Sequence, residues 1–168
     1  QGAGDGTVLV FKGNNSFMAV KGDASDNYKD QLDKFERTFI ITDRVITVYD
    51  LVEKKSAGDE ISFLLNSENG FASAGNEPGK YTTENGQGRL TLKPMTQGTV
   101  TTEAMRLKVH YNSTDETLHL LHAMEAGDQG TSSANMFLLE PDNDSFFGVH
   151  YMQQAHAYVH LVNKTDDA

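Results

Sequence analysis

Apolar and polar residues alternate along this chain with a period of two, in short runs closed by turn-forming residues, which is the pattern of β-strands. Strands are predicted over 7–12, 16–21, 36–42, 45–53, 60–66, 88–93, 105–111, 116–124, 135–139, 145–152 and 155–162. Clusters of Gly, Asn, Asp and Pro separate most of them, at 13–15, 57–59, 76–79, 112–115 and 141–144. A strand and a turn about every ten residues point to an all-β fold, an antiparallel β-sandwich. Windows 27–33 and 127–134 look helical but are short and polar. The stretch GNEPGKYTTENGQGRL (75–90) reads as a long surface loop or a weak hairpin.

Four runs are apolar on both faces, at 8–11, 39–41, 63–65 and 137–139. A sheet with one wet face alternates more cleanly. The multi-stranded sandwich is therefore expected to carry an extra cover, which could be a third layer, long loops or a neighbouring domain. Left open, such strands would invite aggregation.

One hairpin, RTFIITDRVITVYDLVEKK (37–55), holds a charge inside each of its two apolar runs. With a two-residue loop at Asp43 and Arg44, Arg37 falls opposite Asp50. With the loop at Thr42 and Asp43 the two become diagonal neighbours on one face. A three-residue loop would flip the parity. The face carrying the pair reads Arg37, Phe39, Ile41, Ile46, Val48, Asp50, Val52 and is the more apolar of the two. A buried carboxylate needs a partner, and a guanidinium can hold it through two parallel bonds. Arg37 and Asp50 are thus expected to form a buried structural ion pair that fixes strand register, in preference to a catalytic Asp or a substrate-contacting Arg. Removing one partner of a fully buried pair would cost about 3–5 kcal/mol.

Composition narrows the classes. The 168 residues suit a single domain over 1–168. A net charge of -10 argues against nucleic acid as a partner, because phosphate neutralisation needs Lys and Arg. The chain has no cysteine, hence no disulfide and no thiolate metal site. No run is long enough to span a membrane. The chain starts at Gln1 with no leader pattern and is read as a processed chain or a piece of a longer protein.

Candidate chemistry is thin. Six histidines are present: His110, His119, His122, His150, His156 and His160. His150, His156 and His160 share parity but are too spread along one or two strands to converge on a metal. His119 and His122 point to opposite faces of a strand, as do the adjacent pairs His110/Tyr111 and His150/Tyr151, so neither pair offers proton-transfer geometry. Asp142 and Asp144 sit in an oxygen-rich loop that could hold calcium, without EF-hand spacing. Sequons begin at Asn14, Asn112, Asn143 and Asn163, all in turns or near the end. No nucleophile elbow, phosphate loop or zinc-protease motif occurs. No catalytic residue, cofactor or metal ligand is assigned.

Three stretches together resemble a known family: GDASDNY (22–28), FERTFIITDRVITVYDLVEKK (35–55) and ISFLLNSENGF (61–71). Gly22-Asp23-Ala24, Phe35-x-Arg37, Val48-Tyr49-Asp50 and Phe63-Leu64-Leu65 follow, in order and spacing, the C-terminal β-sandwich region of heparinase II/III-like polysaccharide lyases. The resemblance covers about residues 16–71. The family's histidine after Leu-Leu is Asn66 here, so no role of that histidine carries over. The resemblance implies an exported protein, periplasmic or extracellular, that cleaves acidic, uronate-containing polysaccharide by β-elimination. A base removes the proton α to the uronate carboxylate and an acid assists the leaving oxygen. In the family those residues come largely from an α/α-toroid and the first part of the sandwich, as does the usual metal site. This chain would then be an accessory C-terminal part. Its partners would be the upstream catalytic domain and polysaccharide. Two alternatives stay open: a stand-alone carbohydrate-binding or surface-interaction sandwich, and a complete small lyase with its own base.

Overall fold

A computed structural model describes residues 5–75, 77–140, 145–153 and 156–164. Its strands are β1 (Thr7–Gly13), β2 (Phe17–Asp23), β3 (Leu32–Thr42), β4 (Val45–Lys54), β5 (Ile61–Asn66), β6 (Ala72–Ser73), β7 (Tyr81–Asn85), β8 (Gly88–Pro94), β9 (Thr99–Glu103), β10 (Arg106–Tyr111), β11 (Thr117–Asp128), β12 (Asn135–Leu139), β13 (Phe146–Gln153) and β14 (His156–Asn163). A 3-10 turn, Ser25–Tyr28, overlaps the helical-looking window 27–33 only at its first two residues, and β3 begins inside that window at Leu32. The oxygen-rich loop 141–144, with Asp142, Asp144 and the Asn143 sequon, lies outside the described residues, as do Asn76 and Thr165.

The fold is an all-β antiparallel sandwich. A central sheet runs β1-β2-β3-β4-β11-β8-β7-β6. Two smaller sheets, β5-β10-β9 and β12-β13-β14, cover its two faces. Strand alternation in the middle of the central sheet builds both interfaces. Val48 and Val52 of β4 and Leu118, Leu120 and Met124 of β11 meet Phe63, Leu107, Val109 and Tyr111 of the first cover. Val45, Tyr49 and Leu51 of β4 and Leu121 and Ala123 of β11 meet Met136, Phe147, Val149 and Tyr151 of the second.

Two expectations are corrected here. Run 8–11 is not buried: Val8 and Phe11 are 67% and 68% exposed, and Leu9 and Val10 are exposed with them. β1 is the free edge of the central sheet, out beyond both covers. Run 137–139 is not buried on both faces either: Phe137 lies on the solvent side of a covering sheet, and Leu138, on the opposite face, is exposed because β12 is that sheet's edge strand. The strands covered on both faces are β4 and β11, in which Thr47, Tyr49 and His122 dilute the apolar signal. The stretch 75–90 contains a hairpin, β7–β8, in which Asn85 pairs with Gly88 and Gly86 takes the positive φ (61°) of a tight turn.

Candidate functional site: a cleft over Arg37

The β3–β4 loop has two residues, Asp43 and Arg44, with Thr42 opposite Val45. Counting back, Arg37 stands opposite Asp50. Arg37 Nε donates to Asp50 Oδ1 at 2.6 Å and Arg37 Nη2 to Asp50 Oδ2 at 2.7 Å. The Asp50 side chain is 3% exposed and that of Arg37 35%. The guanidinium carbon also lies 5.4 Å from the ring centres of both Phe35 and Phe63, within cation–π range. Burial pushes the Asp50 carboxyl above its usual range, against the pull of Arg37. Burial also pulls on Arg37, but its bonds to Asp50 win and leave it raised.

Arg37 is partly exposed because it borders a cleft of about 530 Å³ between β3–β4 and β5. The rest of the lining includes Tyr28, Gln31, Phe35, Asp59, Glu60, Ser62 and Leu64. Two local devices hold its walls. On one side, Asp23 Oδ1 accepts the Ser25 backbone N–H at 2.8 Å, and Phe35 N–H donates to Ser25 Oγ at 2.9 Å. Ala24 N–H donates to Phe35 O at 2.9 Å. This ties the turn to β3 and sets Tyr28 edge-on to Phe35, with ring centres 5.3 Å apart. The Ser25 hydroxyl, then its N–H, keep Asp23 below the usual carboxylate range. On the other side, Lys54 is buried, and its ammonium donates to the carbonyls of Ala57 (2.9 Å), Asp59 (3.3 Å) and Ser113 (2.8 Å). That fixes the loop carrying Asp59 and Glu60.

The Tyr–His contacts are between strands and escape any reading of neighbours in sequence: Tyr111–His122 joins two sheets, while Tyr151 and His160 are diagonal neighbours on paired strands β13 and β14. Tyr111 does not meet His110. Its hydroxyl lies 2.7 Å from His122 Nε2, and the His122 ring stacks on Phe63 with centres 3.8 Å apart. Tyr151 does not meet His150. Tyr151 donates to Ile46 O at 2.7 Å, and its hydroxyl shares Thr47 Oγ1 with His160 Nδ1 at 2.9 and 2.8 Å. The other ring nitrogen of His160 lies 2.9 Å from Thr42 Oγ1. Tyr111, His122, Tyr151 and His160 are all buried, so these are core hydrogen bonds out of a polymer's reach. His119 pairs with Tyr49, His110 lies 3.3 Å from Ser62, and His156 is exposed. Among the described residues no three His, Asp or Glu side chains are grouped to hold a metal.

The buried imidazoles make stability depend on pH. Burial lowers His160 to about 4. Burial first, and the Arg37 charge second, lower His122 to about 3. In the unfolded chain each takes its proton near pH 6.5, so between about 6.5 and 4 the unfolded state binds more protons. Stability therefore falls as pH drops through that window, with a slope of about 1.4 kcal/mol per pH unit for each histidine. A Tm series from pH 7 to 4 should slope downward toward acid, and less steeply for His160→Gln; equal slopes would remove His160 from this account.

Among the described residues no helix is long and apolar enough to cross a membrane. No protein-family model matches the sequence, and neither does any curated protein. Solved structures do match. A heparinase III with methylated lysines superimposes with a TM-score of 0.70 at 8% identity, over 95% of this chain and 27% of that one. The heparan sulfate lyase HepC from Pedobacter heparinus gives 0.65 at 8% identity, over 94% and 28%. A further heparinase III gives 0.65 at 12% identity, over 94% and 27%. The chain thus spans little more than a quarter of the length of these lyases, and its fold is that of a heparinase-like β-sandwich.

Proposed function

We propose that this chain is the accessory C-terminal β-sandwich of a heparinase II/III-like polysaccharide lyase that cleaves uronate-containing polysaccharide by β-elimination, with the base and acid supplied from upstream of these residues. The observation that carries the reading is the asymmetry of the match: 94–97% of this chain against 27–28% of the lyase chains. The chemistry of the chain is consistent with it. Its Tyr111–His122 and Tyr151–His160 contacts are sealed in the core, and the Arg37 charge at the cleft is already balanced by Asp50. In this reading the sandwich packs on a catalytic domain, helps to wall the sugar cleft, and works in the periplasm or outside the cell. The test is to express the encoding gene with its upstream coding sequence and follow the absorbance of the unsaturated product on heparan sulfate and other uronate polymers. The longer protein is expected to turn over polymer and the 168 residues alone to give none. Product from the 168 residues would place a base inside this chain, and an inactive longer protein would favour a stand-alone binding module.

A further inference from the structure

We propose that the cleft over Arg37 is a subsite for one uncharged, hydroxyl-rich sugar unit, and that it turns anionic units away. The inference rests on the lyase-accessory reading only in expecting a carbohydrate; the preference for a neutral unit comes from the cleft itself. An arginine in a cleft ordinarily suggests a carboxylate or sulfate ligand. Here two of its three nitrogens are committed to Asp50, so its charge is already balanced inside the protein. Two further carboxylates, Asp59 and Glu60, belong to the lining. With Arg37 and Asp50 cancelling, the lining carries an excess of negative charge, which repels a second anion.

The same groups suit hydroxyls. Nη1 is the nitrogen of Arg37 that Asp50 does not use, and it can donate to a neutral oxygen. Asp59 and Glu60 can accept from sugar O–H groups, and the amide of Gln31 and the hydroxyl of Ser62 can do either. Tyr28, Phe35 and the exposed Leu64 add apolar surface for the C–H face of a pyranose. A volume of about 530 Å³ falls in the range of small-molecule sites, and a few polar groups among apolar walls is their usual make-up. The walls are pre-organised by the turn held through Asp23 and Ser25 and by the Lys54 tether, so little ordering is left for the ligand to impose. In a polymer that alternates uronate with hexosamine, this cleft would take the neutral hexosamine.

The test uses amide NMR spectra of the 168-residue chain, titrated separately with N,N′-diacetylchitobiose and with a fully sulfated heparin disaccharide. The neutral disaccharide should move the amides of Tyr28, Gln31 and Ser62, and the sulfated one should leave them in place. Tyr28→Ala should weaken the neutral ligand about tenfold. The double variant Asp59→Asn/Glu60→Gln, in which the Lys54 tether to the backbone is unchanged, should admit the sulfated disaccharide with a gain of about tenfold. No shift at the cleft with the neutral ligand would overturn the proposal, as would tighter binding of the sulfated ligand to the unaltered chain. Neither result bears on turnover by the longer protein, so the lyase reading stands or falls separately.

Discussion

Arg37→Ala should lower the stability of this fold by about 3–5 kcal/mol, and Asp50→Ala should cost less. The order follows from exposure: the Asp50 side chain is 3% exposed and that of Arg37 35%. Without Arg37, the buried Asp50 carboxylate at the floor of the cleft loses the cation that balances it and must either ionise unpaired or take a proton. Without Asp50, Arg37 still has the cleft and its water, as well as the faces of Phe35 and Phe63. The pair as a whole is worth far less than either loss suggests, because both charges lost their hydration on folding. The double replacement Arg37→Met/Asp50→Leu is therefore expected near neutral. Thermal melts would read the Arg37→Ala loss as roughly 6–20 °C for a domain of this size. A double variant no more stable than Arg37→Ala would show that the side chains contribute through something other than each other.

Gly148→Ala should detach a layer. Gly148 lies in β13, the middle strand of the second cover, opposite Leu161. A Cβ there would come within 2.0 Å of His160 O and 3.0 Å of Leu161 Cδ2. The first obstacle is backbone, and its residue is anchored by both ring nitrogens to Thr42 and Thr47 of the central sheet. Neither strand can yield without breaking those bonds, so the cost should reach the upper end of overpacking, about 3 kcal/mol. Hydrogen exchange can locate it. Amides of Phe147, Val149 and Tyr151 should lose protection, while those of Leu107 and Val109, in the opposite cover, keep most of theirs. Uniform loss across both covers would mean that the layers unfold as one unit.

The strands legible in the sequence are those with an apolar face to alternate. Those it hid, β6, β7 and β9, are two residues long or read YTTEN and TVTTE, and they lie at or near sheet edges. Their place in the fold comes from backbone pairing, which leaves no trace in hydropathy. The extra layer was legible in kind but not in location: β1 looks like a core strand and is exposed, whereas β4 meets its second cover partly through Thr47 and Tyr49. Of the candidate site, the Arg37–Asp50 juxtaposition follows from parity across a short loop. Tyr111–His122 could not, because it joins strands of different sheets, whose facing no local register determines, whereas Tyr151 and His160 are diagonal neighbours on the paired strands β13 and β14 and only their shared bond to Thr47 crosses between sheets. The cleft was hidden for the same reason, since Tyr28 and Gln31 arrive from a turn and Asp59 and Glu60 from a loop across the layer.

Lys54 adds something that a bound metal usually supplies. Three backbone carbonyls from two loops converge on its ammonium, as oxygens converge on a hard cation. This ion is covalently tethered, so it has no dissociation constant and no chelator can strip it. The loops it joins need no supply of calcium or magnesium from the surroundings. What can unfasten them is amine chemistry: an acyl group on that one nitrogen would take away the charge that holds both loops.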